Sequence, residues 1–159
     1  MRTTNLNISE CIKDIRTYYG YSRKEIANLL KITSATYSQY ENNHRTIPIN
    51  HINTLSNFYN LNIDYLLGLT DQKRNIIKGN LNLKIISTRL RYFRKKSNLK
   101  IEEVANTLNY AVSTLYRYES EKNLVSTSFC YDLARKYNVS IDWLCGKIDA
   151  RDFHIKSIQ

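Results

Sequence analysis

Arg89, Arg91, Arg94, Lys95, Lys96 and Lys100 place six positive charges within twelve residues, a density suited to attracting phosphate and not to making or breaking bonds. Side chains for bond chemistry are sparse. His44, His51 and His154 have neither metal-ligand spacing nor a Ser or Cys partner that the sequence places nearby. Cys11, Cys130 and Cys145 are odd in number and widely separated, which leaves no disulfide framework or paired-cysteine metal site and predicts buried thiols. Four glycines are too few for a glycine-rich phosphate loop. The expectation is a chain without catalytic residues, metal or cofactor, not an enzyme.

The elements that must position the charges follow from composition and periodicity. The 159 residues suit one average domain or two small ones, and 42% hydrophobic content is enough for a core. A single proline beside the four glycines makes helix the default. No apolar run approaches the roughly 20 residues of a membrane span, and Met1 to Asn5 opens a polar start without a signal core, so a cytoplasmic protein with no membrane partner is expected. The net charge of +10 favours a polyanionic partner. It is unevenly spread: residues 1–72 carry 7 basic and 6 acidic side chains, whereas residues 73–159 carry 17 and 8.

Sliding the chain against itself by 78 residues aligns Ile12–Asp71 with Leu90–Asp149 without a gap, with sixteen identities in sixty positions. Two copies of one domain explain this better than a solenoid, which usually needs three or more repeats. In copy one, Ile8, Ile12, Ile15 and Tyr19 recur at helical spacing until Gly20. Ser22 and Glu25 form a capping box for a second helix, and Thr33 caps a third that runs to about Tyr40. Pro48 suits the first turn of a fourth, on which Leu55, Phe58 and Tyr59 are expected to face inward, and a short fifth helix stops at Gly68. Tyr19, Tyr40, Tyr59, Tyr118 and Tyr137 are expected in the core. The predicted division is domain one at 1–70, a partly helical linker at 71–82, domain two at 83–149, and a tail at 150–159 expected to fray despite Phe153 and Ile155.

The motifs Ile12-Lys-Asp-Ile15-Arg16, Ser22-Arg23-Lys-Glu-Ile26-Ala27, Tyr40-Glu41 and Leu61-Asn-Ile-Asp64-Tyr-Leu66-Leu-Gly68 stand in order in copy one. Leu90-Arg-Tyr-Phe93-Arg94, Val104-Ala105, Tyr118-Glu119 and Val139-Ser140-Ile-Asp142-Trp-Leu144-Cys-Gly146 stand in copy two. This pattern resembles the lambda-repressor-like helix-turn-helix domains of phage repressors and xenobiotic-response-element regulators, twice over. The resemblance implies an all-α fold of two tandem five-helix domains and a double-stranded DNA partner. It also implies internal ion pairs of Arg16 with Glu41 and of Arg94 with Glu119. Ala27 and Ala105 supply the small side chain a steep helix crossing needs.

By the same resemblance the third helix reads bases, through Ser34, Ala35 and Gln39 in copy one and their counterparts Val112, Ser113 and Arg117 in copy two. Arg23, Thr33, Asn42, Asn43, Arg45 and Lys100 are the expected phosphate contacts, with Asn42 and Asn43 equally suited to forming a turn. Copy two departs from the family. Ile101 replaces its phosphate-meeting glutamine, and Lys100 and Ala111 replace the caps Ser22 and Thr33. The function expected is a sequence-specific transcriptional regulator, a repressor of phage or mobile-element type. The alternative is an antitoxin or anti-repressor type of module, in which one copy binds a protein partner or makes a homodimer.

Overall fold

The computed structural model describes residues 7–149 and 151–155. Met1–Leu6, whose polar character entered the expectation of a chain without a signal segment, lie outside the described residues, as do Ala150 and 156–159 of the tail. Ten helices follow in two sets of five among the described residues: α1 (Ile8–Tyr18), α2 (Arg23–Leu30), α3 (Ser34–Glu41), α4 (Ile49–Tyr59) and α5 (Ile63–Leu66), then α6 (Leu83–Lys96), α7 (Ile101–Leu108), α8 (Val112–Glu119), α9 (Thr127–Tyr137) and α10 (Ile141–Leu144). The fold is all-α, with one isolated bridge between Val139 and His154. No helix among the described residues is long and apolar enough to cross a membrane.

Local chemistry sets the helix starts in copy one. Asn7 and Ser22 each accept the backbone N–H three residues on, and Glu10 and Glu25 reach back to the cap backbone, closing a reciprocal box at both starts. Pro48 stands at the cap of α4, one position ahead of its expected place, and bonds through no side chain. The apolar stripe of α1 buries Ile12 and Ile15 in the same core as Ile26, Ala27, Tyr37 and Tyr40, and Ala27 is 1% exposed. All three cysteine thiols are buried.

Four expectations are corrected. Tyr19 is 39% exposed and stacks on Tyr59 at 5.2 Å instead of entering the core, and Phe58 is 42% exposed beside Tyr21 and Tyr59. Periodicity places a side chain on a helix face, but at the end of α1 and the far edge of α4 no further helix among the described residues covers that face. The connection 71–82 contains no helix and is tied down along its length. Asn62 holds it through the Arg74 N–H and the Gln72 carbonyl, Asn53 and Asn57 donate to the Gly79 carbonyl, and the Ile77 N–H reaches the Lys147 carbonyl at 2.7 Å. Residues 151–155 do not fray: Phe153 is buried among Tyr92, Phe93 and Trp143, and backbone bonds join Ser140 to Phe153 and Ile155 to Asn138.

The two copies form one body, joined where α5 meets α10. The Asp142 carboxylate accepts the Ile63 and Asp64 N–H groups at 2.7 and 2.8 Å, two of the donors a helix start leaves unsatisfied. The Asp64 carboxylate returns the contact, accepting the Ile141 N–H at 2.8 Å and the Ser140 hydroxyl at 2.5 Å. Around this seam the Thr127 hydroxyl donates to the Ile47 carbonyl, and buried Lys147 donates to Asn53 and Asn57. Gly146, at φ 73°, ends α10 so close to α6 that a Cβ would meet Ile85 at 3.2 Å.

Candidate nucleic-acid interface

The α2–α3 unit is held rigid from beneath by a buried ion cluster. Arg16 on α1 bonds both Glu41 oxygens, through Nε at 2.5 Å and Nη2 at 3.0 Å, and its Nη1 bonds the Tyr21 carbonyl. Burial alone would raise the Glu41 carboxyl. The hydrogen bonds from Arg16 and Arg23 outweigh it and hold the group below the ordinary carboxylate value. Arg94 and Glu119 repeat the fork at 2.6 and 3.0 Å, with the Leu99 carbonyl in the place of Tyr21's.

Arg23, an expected phosphate contact, also has a partner inside the protein. Its Nε donates to Glu41 Oε2 at 2.8 Å, so Glu41 carries two guanidinium partners where the sequence assigned one. The side chain is 37% exposed, which leaves its outer edge at the surface. In copy two Ile101 stands at this position, half-buried against the core.

The expected base-reading side chains of copy one lie together. Ser34, Ala35 and Gln39 are all exposed on α3, opposite Tyr37 and Tyr40, which anchor the helix in the core. Thr33 caps α3 by accepting the Thr36 N–H at 3.1 Å and shares a hydrogen bond with the Thr36 hydroxyl, so that oxygen already has structural work. Asn42, Asn43 and Arg45 are exposed in the turn that follows. Asn43 has φ 59°, a left-handed residue that reverses the chain, which gives it the turn role.

In copy two, Ser113 and Arg117 are exposed on α8, but Val112 is half-buried against the core and presents only part of its surface. Neither Lys100 nor Ala111 caps its helix with a side chain: an ammonium cannot accept, so only the Glu103 carboxylate closes its half of the box, on the Lys100 N–H at 3.3 Å. The basic run divides in two. Arg89 turns inward to the Trp143 and Ile148 carbonyls with its guanidinium over the Trp143 ring, and Arg94 is spent on Glu119. Arg91, Lys95 and Lys100 remain around an open cleft of about 460 Å³ that Ile101 and Tyr116 also line.

Sequence reasoning missed the Asp64–Asp142 seam, Lys147 and the inward course of Arg89. The signal for the seam was present, since Ile-Asp-x-Leu-x-Gly is common to both copies, but a pattern within one copy does not say that its carboxylate caps the other. The described residues contain no group of three or more His, Cys, Asp or Glu able to hold a metal ion.

Comparison with known proteins supplies the family. A family model described as Helix-turn-helix domain matches residues 10–72, and a second, described as Helix-turn-helix, matches residues 90–144. The chain is similar to the HTH-type transcriptional regulator ImmR of Bacillus subtilis (strain 168), 36% identical over 63 residues, which cover 40% of this chain and 50% of that protein. The chain thus spans about half the length of this curated relative. No solved structure gives a match. With a helix-turn-helix match on each copy and the same Arg-to-Glu fork beneath each recognition unit, the chain is a tandem pair of lambda-repressor-like helix-turn-helix domains of the xenobiotic-response-element type.

Proposed function

We propose that the chain binds double-stranded DNA sequence-specifically and regulates transcription, as a repressor of phage or mobile-element type that occupies a promoter. The observation that carries this reading is the exposed row Ser34, Ala35 and Gln39 on a helix whose opposite face is locked into the core. Gln39 suits the two hydrogen-bonding atoms of an adenine edge, Ala35 a thymine methyl, and Ser34 either kind of base. The surface cations Arg45, Lys95 and Lys100 supply attraction to phosphate that is independent of sequence. The similar Bacillus subtilis protein, named as a transcriptional regulator, points the same way.

Selection of binding sites from random duplex DNA tests the reading. A defined consensus is expected, and Gln39→Ala should relax one base pair of it at a cost of about 1 to 3 kcal/mol. Uniform binding to all duplexes would contradict sequence-specific recognition by α3. A second reading, in which copy two docks a protein partner or a second chain, draws support from Tyr116, 64% exposed on α8, a helix whose start has no side-chain cap. Under that reading Tyr116→Ala leaves DNA affinity intact and removes self-association or partner binding.

A further inference from the structure

We propose that one copy of this chain occupies both halves of an inverted pair of non-identical DNA half-sites, the fold holding within itself what would otherwise need a dimer. The inference rests on the DNA-binding reading and adds the arrangement and stoichiometry of the target.

The seam between the copies carries the argument. Ile63 and Ile141 are repeat equivalents, as are Asp64 and Asp142, each pair 78 residues apart. The Ile63 N–H donates to Asp142 and the Ile141 N–H donates to Asp64, at 2.7 and 2.8 Å. When residue i of one unit touches j of the other while j touches i in return, the units are related by a two-fold axis. Head-to-tail stacking pairs different surfaces and gives no such exchange. Asp64 is 2% exposed and Asp142 is fully buried, so the exchange lies at the centre of a closed contact. One difference marks the symmetry as approximate: Ser140 donates to Asp64, whereas its equivalent Asn62 turns away to hold the 71–82 connection.

The half-turn that relates α5 to α10 also relates α3 to α8. On a continuous duplex, two elements related by a half-turn read opposite strands, so their half-sites are inverted; a translational pair would read direct repeats. The half-sites differ because the helices differ. Gln39 on α3 suits adenine, whereas Arg117 on α8 suits guanine. Asp64 and Asp142 are satisfied by groups of the same chain, which leaves them no cap to offer a second copy. Linkage within one chain also makes engagement of the second half-site intramolecular, so a weak α8 contact still adds to affinity.

The test uses the full chain. Sites are selected from random duplex DNA and then rebuilt as the inverted pair, the direct pair and each half alone, with stoichiometry measured by sedimentation. The expected result is one chain per duplex on the inverted pair, with the direct pair and lone halves bound at least about tenfold more weakly. Gln39→Ala should relax base preference in one half only, and Arg117→Ala in the other. Two chains per duplex, preference for the direct pair, equal binding to a lone half, or both variants acting on the same half would each overturn the inference while leaving sequence-specific DNA binding intact. A folded chain that selects no sequence would overturn the DNA reading and this inference with it.

Discussion

Glu41 and Glu119 stand at equivalent positions in the two copies and close the same joint with different partners. Glu41 holds Arg16 and Arg23, and its side chain is fully buried; Glu119 holds Arg94 alone and keeps 9% exposure. The helix starts differ in the same direction, with Ser22 and Thr33 capping α2 and α3 while Lys100 and Ala111 leave α7 and α8 without side-chain caps. Copy two instead carries surface cations around the cleft at Arg91, Lys95 and Lys100. The lesson is that one scaffold survives the loss of caps and of one arginine as long as its apolar positions and the central Arg–Glu fork are kept. Copy one keeps side-chain caps on its second and third helices, and copy two keeps exposed positive charge in their place.

The largest test of this contrast is removal of each glutamate. Glu41→Gln leaves two guanidiniums facing a neutral amide, one of them buried, and should cost about 3 to 5 kcal/mol. Glu119→Gln should cost less, about 1.5 to 3 kcal/mol. Urea unfolding of the two variants checks the order, and equal costs would remove the asymmetry.

Falling and rising pH should act on different places. Glu41 is held below its ordinary value, so the stability it contributes is present above the unfolded carboxylate range and is lost as pH falls through its folded value. Burial and then the neighbouring Asp142 push Asp64 well above the ordinary range, and burial raises Asp142 as well. The sign is therefore opposite: what the protonated seam contributes is complete below the unfolded range and is lost as pH rises through the raised values. In urea midpoints measured across pH, Glu41→Gln should flatten the loss of stability seen as pH falls through the Glu41 value, and Asp142→Asn the loss seen as pH rises through the raised values of the seam. A profile in which each variant leaves its own loss unchanged would refute the assignment.

A smaller contrast concerns two cations at the start of each second helix. Lys100→Ala should lower the salt slope of DNA binding by about one charge. Arg23→Ala should lower it by less, since that guanidinium is partly neutralised by Glu41, while costing about 1 kcal/mol of stability. Reversal of the two slopes would mean that the bond to Glu41 does not weaken the pull of Arg23 on phosphate. The smallest effect is at the third helices: Thr33→Ala should cost about 1 kcal/mol and Ala111→Thr should gain roughly 0.5 kcal/mol. Thermal unfolding of both variants measures it, and no gain from Ala111→Thr would mean that copy two satisfies its helix start in another way.

The sequence by itself determined what depends on neighbours in the chain. Helix starts at Asn7, Ser22 and Thr33 and stops near Gly20 and Gly68 are decided within a turn of the backbone, and the apolar spacing of α1, α2, α6 and α7 is decided within two. The doubling of the domain was equally legible, because a repeat is a property of sequence alone. Only the tertiary structure decided who meets whom across long separations. It gave Arg23 to Glu41, turned Arg89 toward Trp143, docked Phe153 on Tyr92 and Phe93, and set Asp64 and Asp142 to cap each other's helices across 77 to 79 residues. The physical reason is that an unsatisfied charge or N–H group takes whichever partner the closed core brings within about 3 Å, and that choice is made by packing, after the local elements have formed.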